Sequence, residues 1–208
     1  MENKKPFVYL CVKGWRNNFD RGGVMYAVQA FLNEFSSKDK TILIIKINAC
    51  YGIPDINKLI NELKPMHRTD FAPIQIITDN IPYEQLVNLY NQCDVFVNPT
   101  RTEAFCLPCA EASACNKMVL TTGYGGQTDF IKDGQNGIYV DYKLEEVRHE
   151  CLYENVFWAT PSIEDLRKKM RWCYEHPKEV KDMGIKAGEM IKEFTWDKTA
   201  EKIVKLIN

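Results

Sequence analysis

The chain has 208 residues, 45% of them apolar and 12% aromatic, and 27 basic side chains stand against 28 acidic ones. This length fits one domain that hides roughly 70% of its unfolded surface, and a net charge of −1 gives no electrostatic pull toward nucleic acid or an anionic membrane. No apolar run approaches the ~20 residues of a membrane span, and the first residues lead into a strand without the apolar segment of a secretory signal, so a cytoplasmic protein with no transmembrane segment is expected.

Taken in order, Phe7–Val12 (FVYLCV) is a nearly continuous apolar run, which suits a strand buried on both faces of a parallel sheet. Lys13 to Gly23 is a polar, glycine-bearing loop that carries Arg16 and Arg21. A helix follows to about Phe35, because Val24, Val28, Phe31 and Phe35 recur four, three and four apart and make one apolar stripe. Thr41–Ile47 reads as a second strand, and Asp55 caps a helix whose Ile56, Leu59, Ile60 and Leu63 face inward. Ile74–Thr78 is a third strand, and Pro82 opens a helix through Tyr90. Val95-Phe96-Val97 is a short fourth strand that Asn98-Pro99 ends, since proline removes the next ladder donor. Leu107-Pro108 starts another helix, with proline in the first turn, where its missing N–H is harmless.

Met118–Thr121 is a fifth strand, and Asn136-Gly137 turns into Ile138-Tyr139-Val140 as a sixth. The alternation predicts an α/β fold, a doubly wound parallel sheet of about six strands with helices on both faces, over residues 1–142 of a single domain. Residues 143–161 resist assignment. Ser162-x-x-Asp165 has the form of a capping box opening a helix over Ile163, Leu166, Met170 and Cys173, and helices at about 179–194 and 196–207 complete a helical tail. Cys11, Cys50, Cys93, Cys106, Cys109, Cys115, Cys151 and Cys173 fall mostly inside apolar segments and read as reduced core residues of an intracellular protein. Cys106-x-x-Cys109 with Cys115 raises zinc or a redox pair, but no second cysteine pair or histidine stands at ligand spacing, so no metal site is expected.

The stretch from Cys93 to Glu111 organises the rest. It passes from an apolar strand through a polar loop into a helix, so the unpaired N–H groups of Phe105, Cys106 and Leu107 form the positive end of a helix at the carboxyl end of a strand, a site for an anion. Glu103 and Glu111 flank it with seven residues between them. A pyrophosphate wants backbone N–H groups, and the vicinal hydroxyls of a ribose or sugar match the two oxygens of one carboxylate. Spacing alone fits equally well two solvated carboxylates on a loop and a helix. A diphosphate beside two carboxylates also needs cations, and in a doubly wound sheet the loop after the first strand, with Arg16 and Arg21, lies at the same edge. Lys13 is the rival to Arg16 for this role.

E-A-F-C-L-P-C-A-E, from Glu103 to Glu111, resembles the E-G-F-G-L-P-x-x-E signature of the retaining glycosyltransferases of family 4, which have the two-domain GT-B fold. Tyr124-Gly125-Gly126-Gln127-Thr128-Asp129-Phe130 resembles that family's Y-G-G-x-x-D-F loop, and Phe194-Thr195-Trp196-Asp197 its closing F-S-W-D. The resemblance runs from about Phe7 to Ile207 and implies the C-terminal, donor-binding domain of such an enzyme, without the N-terminal acceptor domain.

What it implies for chemistry is transfer of a sugar, with retention and without a metal or other cofactor, from a nucleotide-diphosphate sugar, a GDP- or UDP-sugar. Glu103, Arg16 and Arg21 would be catalytic, with Arg21-Gly22 on the family's lysine-glycine position. Glu111 would hold the ribose, the amides of Phe105, Cys106 and Leu107 the diphosphate, and Gly125 and Gly126 would border the sugar. Residues 78–81 would edge the base pocket, with Tyr83 nearby. An acceptor-binding domain in cis or in trans is the implied partner, and the apolar side of the last helix favours a homo-oligomer. Ala104 and Cys106 replace the family's glycines, and a side chain at 106 crowds a phosphate, which keeps open a catalytically inert nucleotide-binding or protein-interaction module. A flavodoxin-like or dinucleotide-binding domain is the remaining alternative, though the first strand lacks a following G-x-G-x-x-G.

Overall fold

The structure is a computed structural model and describes residues 5–14, 20–48, 55–66, 68–147 and 155–207. Strands β1 (Phe7–Gly14), β2 (Thr41–Asn48), β3 (Ile74–Ile77), β4 (Val95–Asn98), β5 (Met118–Thr122) and β6 (Gly137–Val140) form one sheet in the order β3-β2-β1-β4-β5-β6, every neighbouring pair parallel. The order reverses between β1 and β4, so the loops that follow these two strands leave the sheet side by side, where an open α/β sheet holds its ligand.

The apolar runs of β1, β4 and β5 serve two cores. Tyr9 and Cys11 join Val24 and Phe31 of α1 (Val24–Glu34), Phe35 just past its end, and Leu166 and Met170 of a later helix on one side. Val8 and Leu10 join Tyr90 of α3 (Tyr83–Gln92) and Cys109 and Ala112 of α4 (Leu107–Ala114) on the other. Between α1 and α3 lies α2 (Ile56–Leu63), capped by Asp55, whose side chain accepts from Lys58 N. Burial on both faces explains why these strands carry no polar alternation.

Residues 143–161, unassigned from sequence, contribute to an antiparallel pair, β7 (Tyr142–Glu146) with β8 (Phe157–Pro161). Every residue of β7 is exposed, so the alternation of Tyr142 and Leu144 with Lys143 and Glu145 marks no buried face. Arg101 clamps this pair to the loop after β4. Its guanidinium lies over the Trp158 ring at 5.4 Å and donates to Thr160 Oγ1 at 3.2 Å, while its carbonyl accepts from Ala159 N at 2.9 Å.

Helix α5 (Ile163–Glu175) starts at Ser162, whose hydroxyl accepts from Asp165 N at 3.2 Å. The Asp165 carboxylate does not return the bond as a capping box would; it accepts from Asp141 N at 2.8 Å and ties the helix to the chain after β6. Across α1, Arg167 and Arg171 of α5 hold Glu34 at 2.9 and 2.6 Å, and Arg171 reaches Asp39 at 2.7 Å. Helix α6 (Pro177–Met190) packs backbone-close on the turn after α4. Asn116 there is left-handed (φ 57°), a conformation asparagine tolerates after a helix, and a Cβ on Gly184 would fall 2.3 Å from its carbonyl oxygen. A 3₁₀ turn at Ile191–Glu193 precedes α7 (Trp196–Ile207), which buries none of its residues.

Candidate functional site

The site starts from two backbone joints. At Gly23 the chain is left-handed (φ 79°), and a Cβ would lie 1.8 Å from the carbonyl oxygen of Pro99, so only glycine lets the loop after β1 seat on the loop after β4. Arg101 N and Thr100 Oγ1 then donate to the Arg21 carbonyl at 2.8 and 3.0 Å. Gly126 makes the second joint. Its N–H donates to Glu103 O at 3.0 Å, and a Cβ on it would lie 1.7 Å from Ala104 O. Gly125 (φ 103°) is left-handed beside it, and a Cβ there would lie 3.0 Å from the Glu103 carbonyl oxygen. Both glycines of the Tyr124–Phe130 segment thus fix the turn that carries Glu103.

Glu103 is thereby set against Lys13, the last buried residue of β1. Lys13 Nζ lies 2.6 Å from Glu103 Oε1, their side chains only 6% and 16% exposed. Burial pushes the ammonium down, but Cys106 and Glu103 outweigh it and hold Lys13 up at about 12, so it stays charged. Thr100 Oγ1, whose one proton is closer to the Arg21 carbonyl, lies 3.3 Å from the same carboxylate oxygen.

Cys106 is left-handed (φ 69°) and caps α4 without a side-chain bond to the helix backbone. This conformation is why glycine suits the position, and cysteine occupies it with its side chain folded inward, the residue 4% exposed. The amides of Phe105, Cys106 and Leu107 find no acceptor among the described residues. They are the unpaired donors of the α4 N-terminus. On the next turn of α4, Glu111 accepts from Tyr90 Oη at 2.8 Å, which fixes one carboxylate oxygen on a fully buried ring. Its partner phenol is pushed far up by burial and by that carboxylate.

The structure therefore brings together Glu103, Glu111, residues 105–107 and the two glycines 125 and 126. Arg21 is exposed and contributes its carbonyl to the joint; Arg16 lies outside the described residues. Residues 78–81 follow β3 as irregular chain, and Tyr83 is exposed. Tyr90, Asn98 and Gln127 hold the site residues and their turn in place, roles that the sequence did not disclose although Gln127 lies within the Tyr124–Phe130 motif. Asn98 Nδ2 donates to Cys106 Sγ at 3.4 Å, and Gln127 reaches the carbonyls of Thr122 and Tyr124 at 3.1 and 2.7 Å. The polar end of Val95-Phe96-Val97-Asn98 was the only available hint. Asn98 Oδ1, Thr122 Oγ1 and Gln127 Oε1 are buried with no partner among the described residues. Phe105, Phe130 and Phe194, one from each of the three quoted motifs, close a cluster beside the turn, with centroids 5.1 Å (105 to 130), 5.6 Å (130 to 194) and 6.4 Å (105 to 194) apart.

A six-stranded parallel sheet with this order, flanked by helices and followed by a helical tail, is a Rossmann-like domain of the GT-B class. The chain belongs to the family glycosyl transferases group 1, which matches residues 71–190, more than half of it. The D-inositol 3-phosphate glycosyltransferase of Paenarthrobacter aurescens (strain TC1) is 32% identical over 116 residues, 56% of this chain and 24% of that protein. The sucrose synthase of Acidithiobacillus caldus is 27% identical over 112 residues, 54% of this chain and 12% of that protein. The chain thus spans no more than about a quarter of the length of these relatives.

Among solved structures, the C-terminal domain of a glycosyl transferase group 1 family protein from Francisella tularensis superposes with a TM-score of 0.66 at 15% identity, covering 89% of this chain and 84% of that one. Anabaena HepE in complex with UDP gives 0.64 at 16% identity, covering 98% of this chain and 48% of that one. No described helix is long and apolar enough to cross a membrane.

Proposed function

We propose that this chain is the C-terminal, donor-substrate domain of a family 4 retaining glycosyltransferase, which takes a sugar from a nucleotide-diphosphate sugar, a UDP- or GDP-sugar, without a metal ion. One observation carries the assignment. Three unpaired amides at the opening of α4 stand between Glu103, backed by a buried lysine, and Glu111, backed by a buried tyrosine. Each part has a task that matches one part of the donor. The amides of Phe105, Cys106 and Leu107 bind the diphosphate; Glu111, with one oxygen held by Tyr90, accepts from the vicinal ribose hydroxyls; Glu103 accepts from a sugar hydroxyl. As the bond from the anomeric carbon to the diphosphate breaks, the leaving group keeps the electron pair. Lys13, with Arg16 and Arg21 on the loop it opens, takes up that charge. Retention places the acceptor hydroxyl on the face the diphosphate leaves, and an acceptor-binding domain in cis or in trans presents it.

Cys106 at the family's glycine position favours one competing assignment, an inert nucleotide-binding or protein-interaction module. Calorimetric titration with UDP, GDP, ADP and their sugar conjugates tests the first part. One nucleotide is expected to bind, and Glu111→Ala to weaken it at least ~10-fold, the loss of a charge-assisted hydrogen-bond pair. Binding of none, or equal binding by Glu111→Ala, would sink the assignment. Sugar transfer by this chain with an acceptor domain supplied in trans rules out the inert module.

A further inference from the structure

Cys106 caps α4 and Cys109 is its third residue, so the two face each other across the opening turn, their Sγ atoms 3.2 Å apart. Two donors converge on the Cys106 sulfur, Asn98 Nδ2 at 3.4 Å and Lys13 Nζ at 3.8 Å, and it shares a thiol proton with Cys109. That is an environment for a thiolate, and it lies at the positive end of a helix. The two sulfurs are unlike. The hydrogen bond from Cys109 holds the Cys106 thiol down at about 7 against burial, with Lys13 assisting, whereas burial pushes fully enclosed Cys109 well up. Cys11, Cys93 and Cys173 are buried and pushed up too, to about 12 in the case of Cys11 and Cys93.

We propose that Cys106 and Cys109 are a reversible redox pair, which a hydroperoxide oxidises to an intrachain disulfide across the first turn of α4. The Cys106 thiolate attacks the terminal oxygen of the hydroperoxide, breaking its O–O bond, to give a sulfenic acid and, with a proton, an alcohol or water. The Cys109 sulfur then attacks the Cys106 sulfur, losing its proton and expelling hydroxide, which leaves as water. The two thiols lose two electrons and the peroxide gains them. A dithiol reductant reverses the change by exchange. Closure to an S–S length of ~2.05 Å needs a sulfur displacement of only about 1 Å. Resting on the proposed function, a donor diphosphate competes with the thiolate for the α4 amides and for Lys13, so bound nucleotide slows the oxidation.

The ligand-free chain is treated with hydrogen peroxide at pH 7, alkylated with iodoacetamide and mapped by mass spectrometry. The expected result is a segment containing Cys106 and Cys109 that lacks two hydrogens, resists alkylation and is restored by dithiothreitol, forming at least ~10-fold faster than any modification of Cys11, Cys93 or Cys173, as thiolate fraction dictates. Cys109→Ser should stop at a sulfenic acid on Cys106 that dimedone traps. Oxidation of Cys106 no faster than of Cys11, or its passage to sulfinic acid in the native chain without a bridge, would overturn the pair. Repeating the assay with the nucleotide found by calorimetry reads the coupling: slowing of ~10-fold or more supports it, and an unchanged rate removes it. A chain that binds no nucleotide still reports on the bridge, so the two conclusions fail separately.

Discussion

Lys13 and Glu103 are a buried ion pair whose members depend on each other more than the fold depends on the pair. Removing one leaves the other's charge enclosed, while removing both leaves only a change of packing. Lys13→Met is therefore expected to lower stability by ~3–5 kcal/mol, and Lys13→Met with Glu103→Gln to recover at least about half of that, by urea denaturation. The sequence named Glu103 through its motif and held Lys13 only as a rival to Arg16, because a lysine at the end of an apolar strand looks like the start of a polar loop until a partner is seen. Cys106 adds a pH dependence of known sign. Its thiol is held at about 7 in the fold against an ordinary 9.0, so its contribution is fully present above that ordinary value and is lost as pH falls through about 7. Under reducing conditions the denaturation midpoint should fall as pH drops from 9 toward 6, by up to ~1.4 kcal/mol per unit of depression, and Cys106→Ala should flatten the slope. Lys13 leaves this window undisturbed, since its shift acts only above pH 10.

Among the elements, the loop joints govern how well the site is held. Gly126→Ala places a methyl group 1.7 Å from Ala104 O and must push apart the turns bearing Glu103 and Gln127. It should cost ~1–3 kcal/mol by thermal denaturation and weaken nucleotide binding as well. Gly134→Ala is the control for open space: it is left-handed (φ 69°), as Gly126 is not, and has nothing within 4 Å, so only backbone strain of ~1–2 kcal/mol is expected, with binding unchanged. The strands of residues 7–140 were legible because burial on both faces writes continuous apolar runs, and helix starts along the chain carry Asp55, Pro108 and Ser162. The hairpin of β7 and β8 was not legible, since one strand is wholly exposed and is held through Arg101, a contact distant in sequence. Nor did the glycine motifs disclose that Gly125 and Gly126 face protein backbone.

At the scale of the whole molecule, α7 stands apart. Its Ile203, Val204, Leu206 and Ile207 are exposed, Trp196 is 88% exposed, and no residue of the helix is buried. Deleting residues 195–208 should move the denaturation midpoint by no more than ~0.5 kcal/mol, as for other surface changes. The full-length chain should associate with itself as concentration rises, and the shortened one should not; sedimentation velocity reads both. The central joints are of another kind. Gly23 meets Pro99, and Gly126 meets Ala104, main chain against main chain. A frame built without side chains is indifferent to which side chains it carries. Ligand preference can therefore drift, or be redirected by an engineer, through substitutions at Arg21 or Thr102 one at a time, because neither side chain is a fastener.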